Sequence, residues 1–257
     1  MAQEVMSKIR KGHIHKLLSM GKRVDGRGPE DYRPISIETG FIESAQGSAR
    51  IKVGNTDVVV GVKLDVGTPF SDTPDKGVLT TNAELIPLAS PNFEPGPPDQ
   101  SAIELARVID RGIRESEMID LEKLCIKHGE EVWISFADIY VLDYDGNLFD
   151  ACFLGAIAAL RNTIVPAEEK GKGENYPMPL RRFPIQTTAV KIENSILFDP
   201  ALDEEKVAEA RLTVTTDENG DIRAMQKGLD GALTLDEIKS IINTSLRLSK
   251  DLRNLIG

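Results

Sequence analysis

The chain has 257 residues, 40% hydrophobic and 28% charged, enough to bury one large core or two small ones, with two domains the better expectation. Its formal net charge of −10 argues against a free-standing, general nucleic-acid binder, so any contact with a polyanion must be local or completed by a partner. Cys125 and Cys152 show no metal-type spacing, which argues against a disulfide framework and suits small core residues of a reducing compartment.

Residues 3–20 place Met6, Ile9, His13, Leu17 and Met20 at helical spacing, with Gly21 as a stop, and so predict an amphipathic arm that needs a surface. Lys8, Arg10, Lys11, Lys16 and Lys22 are separated only by isolated apolar residues, which lacks the apolar core of a signal peptide. Strands are expected at Ile35–Thr39, Ser48–Val53 and Val58–Leu64, with Gly54-Asn55 as a tight hairpin turn, and again at Leu79–Leu88.

The segment Phe93–Ser116 (FEPGPPDQSAIELARVIDRGIRES) carries the most information. Pro95, Pro97 and Pro98 keep the backbone out of helix and Gly96 permits a sharp turn, so the helix should begin near Ser101, with Ser101 and Glu104 at capping-box spacing. Ala102, Ala106, Ile109 and Ile113 then form an inward stripe, and Arg107, Arg111 and Arg114 fall on the far side. Two readings are open on spacing alone. The arginines are placed to grip successive phosphates of an extended strand; equally, Asp110 lies within reach of Arg107 and Arg114, and Glu115 of Arg111, which describes a self-neutralised solvated face.

Val132–Leu142 reads as a rich strand ended by the turn Tyr144-Asp145-Gly146-Asn147, and Phe149–Arg161 as an apolar helix that must be buried. Trp133 and Phe136 on that strand suit a core better than a base-stacking surface. Ala167–Arg182 has Gly, Pro and charge without periodicity. Beyond it, strands at Thr187–Ile192, Ser195–Phe198, Arg211–Thr215 and Ile222–Gln226 precede a closing helix, Leu235–Asn254, capped by Thr234. The expected organisation is an arm (1–22), a first α+β domain (23–166), a linker or exposed excursion (167–183) and a second domain (184–257).

Asp138, Asp143, Asp145 and Asp150 span a strand, a turn and a helix start, with no Glu to close a calcium loop, and His13, His15 and His128 lack a third ligand or nucleophile. No metal or other cofactor is expected. The longest apolar run, Ala151–Leu160, is half of the about 20 residues that a membrane span needs, so a soluble, cytoplasmic protein without membrane contact is expected.

Arg23–Pro34 (RVDGRGPEDYRP), Asp143–Phe153 and the whole of Phe93–Ser116 resemble the RNase PH family, over about Val24 to the C-terminus. Within it, the FEPGPP turn leading into IELARVIDR and the VLDYDGN turn leading into DACFLGAIAAL are similar to the non-catalytic ring subunits of archaeal exosomes. The resemblance implies an α+β fold of two RNase PH-type subdomains, mixed sheets packed by helices, behind an N-terminal helical arm. It implies a six-membered ring, alternating with a catalytic RNase-PH-like partner around a channel for single-stranded RNA, with OB-type and KH-containing cap proteins.

It also implies lost chemistry. The family's two acidic residues six positions apart fall on Glu205 and Arg211, and its phosphate-binding Gly-Ser-Arg turn falls on Gly146-Asn147-Leu148. An arginine pair before the helix falls on Gln100 and Ser101. A guanidinium has no acceptor and stays protonated, so Arg211 cannot replace a general acid or metal-binding carboxylate, and Leu148 cannot hold phosphate. Arg107, Arg111 and Arg114 become the implied RNA ligands. Two alternatives stay open: an active phosphorolytic exoribonuclease using Asp199, Asp203 or Glu205, and an assembly module without RNA contact.

Overall fold

The computed structural model describes residues 2–256, with side chains from residue 11 onward. Helix α1 (Ala2–Ser19) ends where Gly21 takes φ 69°, a left-handed conformation that favours glycine. The Lys22 N–H returns to the Leu17 carbonyl at 3.0 Å and the Gly21 N–H to Leu18 at 2.9 Å, which closes the helix. The face it buries differs from the expected one. Ile14 is buried and Leu18 packs beside it, whereas His13 and Met20 are exposed; the side chains of Met6 and Ile9 lie outside the described residues. Ile14 joins Val190, Ile192, Leu197 and Val207, so the arm packs on its own chain.

The first sheet contains β1 (Ile35–Thr39), β2 (Gly47–Val53), β3 (Thr56–Gly67), β4 (Val78–Leu85), β5 (Cys125–Lys127) and β6 (Glu131–Asp143). Its order is β1-β2-β3-β6-β4 with β5 on β6; β4 runs parallel to β6 and the other pairs are antiparallel. A parallel pair requires a crossover, which is supplied between them by α2 (Gln100–Glu115). Strand β4 stops at Leu85, before the expected Leu88, because Pro87 has no N–H for a ladder and the Ala89 N–H turns back to Ile86. Helix α3 (Leu148–Arg161) is buried at every position from Leu148 to Leu160. It packs against β2 and β3 on one side and a strand of the second sheet on the other, so its sequence is apolar all round. Gly112 lets α2 approach α3, since a Cβ there would stand 2.5 Å from the Phe153 ring.

A short pair, β7 (Ile164–Val165) with β8 (Tyr176–Pro177), leads into the second sheet. That sheet has the order β10-β9-β11-β12, from β9 (Ile185–Ile192), β10 (Ser195–Phe198), β11 (Ala210–Thr216) and β12 (Ile222–Gly228), all antiparallel. The one-turn α4 (Leu202–Glu205) lies between β10 and β11, and α5 (Leu235–Ile256) closes the chain. Thr234 caps α5 as expected: its hydroxyl accepts the Glu237 N–H at 3.2 Å and Glu237 returns to the Thr234 N–H at 2.7 Å. Strand β9 alternates. Ala189 packs with Ile241 and Leu248 of α5, whereas Gln186 and Thr188 bond α3 through the Phe149 carbonyl and Asp150.

The two sheets are joined by charge. Arg23 grips Glu204 with two hydrogen bonds, 2.9 and 2.6 Å, and adds the carbonyls of Phe198 and Asp199 at 3.0 and 2.8 Å. Arg33 grips Asp199 at 2.9 and 2.8 Å, and Arg27 adds a contact at 2.8 Å. Asp199 is fully buried, and although burial raises a carboxyl pKa, the Arg33 hydrogen bonds and charge prevail and hold it below the usual value. Such charges are tolerable inside because every one is answered.

Candidate nucleic-acid interface and the adjoining pocket

Helix α2 begins one residue earlier than expected and with a different cap. The Asp99 carboxylate accepts the Ala102 N–H at 2.8 Å, while Ser101 is exposed. Pro97 and Pro98 hold the chain extended up to Asp99, and an anion at a helix N-terminus suits the dipole. The inward face consists of Ala102, Leu105, Val108, Ile109, Gly112 and Ile113, with Ala106 half-buried at its margin. Arg107, Arg111 and Arg114 are exposed on the outer side. Of the three pairings open to them, one forms: Arg114 bonds Asp110 at 3.0 and 3.1 Å and the Leu79 carbonyl at 3.1 Å. Arg107 and Arg111 have no ion-pair or hydrogen-bond partner among the described residues. The three arginines line a groove of about 610 Å³ with Gln100, Ile103 and Gln226.

Next to it, where α2, the start of α3, α4 and β11 meet, a cleft of about 410 Å³ is lined by Ser101, Glu104, Tyr144, Leu148, Glu205 and Arg211. Four of the five positions read as degenerate thus come together; Gln100 faces the arginine groove instead. The cleft is closed on itself chemically. The Arg211 guanidinium pairs with Glu104 and stacks over the Phe149 ring, 4.0 Å from its centroid. Glu205 accepts the Asn147 backbone N–H at 2.8 Å and the Tyr144 hydroxyl at 2.6 Å. Burial pushes the Glu205 carboxyl up, against the opposing pull of Tyr144, Asn147 and the nearby Arg211 and Arg33.

The turn that supplies that N–H is tightly built. Gly146 has φ 94°, and a Cβ there would lie 2.5 Å from the Pro200 carbonyl. Thr56 of β3 donates to the Gly146 carbonyl at 2.7 Å, and Asn147, in left-handed conformation at φ 53°, sends its amide nitrogen to Asp150 and Asp199, each at 2.9 Å. Leu148 is nearly buried and presents no donor. Asp150 accepts from Tyr32, Asn147 and Thr188, yet its complete burial still pushes its pKa up to about 6. Asp199, a candidate carboxylate in the active-enzyme reading, has both oxygens engaged by arginine, and Asp203 lies 4.0 Å from Lys206.

Sequence reasoning overlooked Glu104, Tyr144 and Phe149 as pocket residues. Glu104 was expected in a capping box; it reaches instead to Arg211, 107 residues away, a separation that leaves no local signal. Trp133 is buried in the core, as expected. Among the described residues no three His, Cys, Asp or Glu side chains converge as a metal site, and no helix is long and apolar enough to cross a membrane.

The chain belongs to the RNase PH family: the model of the 3′ exoribonuclease family, domain 1, matches residues 31–166, and that of domain 2 matches residues 182–247. Within the family it is similar to proteins named Exosome complex component Rrp42. That of Thermoplasma volcanium is 53% identical over 97% of this chain and 96% of its own length, and that of Thermococcus gammatolerans 54% identical over 98% and 96%. A chain of a solved structure described as "archaeoglobus fulgidus exosome with RNA bound to the active site" superposes with a TM-score of 0.96 at 48% identity, covering 98% of this chain and 100% of that one. A chain of an "Archaeal exosome core" gives 0.92 at 44%, covering 100% and 99%.

Proposed function

We propose that the chain is a non-catalytic ring subunit of an archaeal-type exosome, a cytoplasmic 3′→5′ phosphorolytic exoribonuclease complex, in which it shapes the catalytic partner's active site and guides RNA along the channel. The observation that carries this reading is the contrast within α2. Its inner end faces a pocket where Arg211 is consumed by Glu104 and Glu205 by Asn147 and Tyr144, while its outer face leaves Arg107 and Arg111 free for an external anion. Degradation of many RNAs needs contacts that hold the backbone without reading bases, which is what a row of guanidiniums provides. The names of the relatives support the exosome assignment, and with it a six-membered ring alternating with a catalytic RNase-PH-like subunit, and caps with OB-type and KH modules. A self-neutralised arginine face, the basis for a pure assembly module, loses two of its three expected pairs. The residue bounds 1–22, 23–166, 167–183 and 184–257 stand as the proposed division into arm, first domain, connection and second domain.

The deciding experiment is phosphate-dependent release of nucleoside diphosphates from an oligoadenylate, by the chain alone and with its catalytic partner. The chain alone should be inert and the assembled ring active; release by the chain alone would overturn the reading. Replacing Arg107, Arg111 and Arg114 by Glu should slow the assembled ring with its assembly intact, and an unchanged rate would remove RNA guidance.

A further inference from the structure

We propose that the Glu205 carboxylate fills, from within, an oxyanion site suited to inorganic phosphate, and that this internal anion is what keeps phosphate out of the pocket. The inference rests on the non-catalytic reading and deepens it, by naming the residue that excludes the co-substrate and the chemistry by which it does so.

Donors converge on that carboxylate from separate parts of the fold. The Asn147 N–H at 2.8 Å comes from the start of α3 and the Tyr144 hydroxyl at 2.6 Å from the end of the preceding strand. Arg33 lies behind the same turn, bonded to the Asp145 and Gly146 carbonyls at 2.5 and 3.2 Å, and Arg211 lines the same cleft. A backbone N–H at a helix start, a phenol and two guanidiniums are what an oxyanion requires. The helix does not satisfy this end itself: the Asn147 side chain makes no cap and turns instead to Asp150 and Asp199.

Nor is Glu205 needed elsewhere. The Arg211 charge is answered by Glu104 and the Arg33 charge by Asp199. Its neighbour Glu204 carries the contact to Arg23 that joins the two sheets. Glu205 alone in α4 turns toward the cleft, whose volume of about 410 Å³ gives a solute access to the same donors.

The test is titration of the full-length chain with inorganic phosphate by calorimetry and by the amide resonance of Asn147. Wild type should give no saturable heat and no shift. Glu205→Ala should give a saturable isotherm with a shift of the Asn147 amide, both lost again when Arg211→Gln is added. A folded Glu205→Ala chain that binds no phosphate, or a wild-type chain that binds as well, overturns the proposal and leaves Glu205 as a helix cap. If alanine at 205 prevents folding, Glu205→Ser, which keeps a hydroxyl for the Asn147 N–H, carries the same expectation. Failure here is separate from failure of the functional reading, which falls only if the wild-type chain degrades RNA by itself.

Discussion

The clamp between the two sheets and the outer face of α2 are built from the same residue in threes, Arg23, Arg27 and Arg33 against Arg107, Arg111 and Arg114, and they do opposite things. Arg23 and Arg33 are 4% and 8% exposed, and each meets a carboxylate of the other domain in a two-pronged contact. Their donors are spent on the fold. Arg107 and Arg111 stand in solvent beside acids that do not reach them, so their five N–H donors apiece remain for a ligand. What decides between structure and binding is whether a carboxylate is delivered to the guanidinium by the rest of the fold.

The comparison is broken most directly at Asp199. Asp199→Ala strands Arg33 and part of Arg27 in the interior, and should lower unfolding free energy by about 3–5 kcal/mol in urea titrations, while Arg107→Ala with Arg111→Ala should stay within about 0.5 kcal/mol. Equal losses would mean that the outer arginines also hold the fold.

The carboxyl groups of the clamp region separate by pH. Asp199, held below its ordinary 3.8, supports the fold above that value and loses its contribution as the pH falls through its lower native pKa. Asp150, pushed up to about 6, has the opposite sign: its contribution is complete below 3.8 and is lost as the pH rises through about 6, on the order of 3 kcal/mol. Carboxyl-carbon NMR titration should place the Asp150 midpoint near 6 and the Asp199 midpoint under 3.8; the reverse order would dismantle this account of the clamp.

On the outer face the expected effects are smaller. In the assembled ring, each arginine removed at 107 or 111 should reduce the slope of log affinity for single-stranded RNA against log salt by about 0.7. An unchanged slope would mean that no phosphate is held there. Smallest of all, Asp110→Asn should cost about 0.3–0.5 kcal/mol by loss of an exposed i,i+4 pair and tighten RNA binding slightly, since Arg114 is freed; weaker binding would show that Asp110 positions Arg114 for the ligand.

Much of the fold was legible in the chain because local rules sufficed. Strand β1 and strand β10 fall where alternation and turn residues put them, the Gly54-Asn55 and Glu193-Asn194 turns join antiparallel strands, and Thr234 caps α5. The sequence by itself determined these elements, the outward row of Arg107, Arg111 and Arg114, and the residues that carry the family likeness, since each depends on spacing within one helix or hairpin. Only the tertiary structure decided that Asp99 rather than Ser101 caps α2, that α1 buries Ile14 rather than Met20, and that Glu104 belongs to Arg211 and Glu205 to Asn147. The physical reason is that a charge chooses among all the partners the fold brings within reach, and Glu104 and Arg211 meet only after two domains have packed around α3.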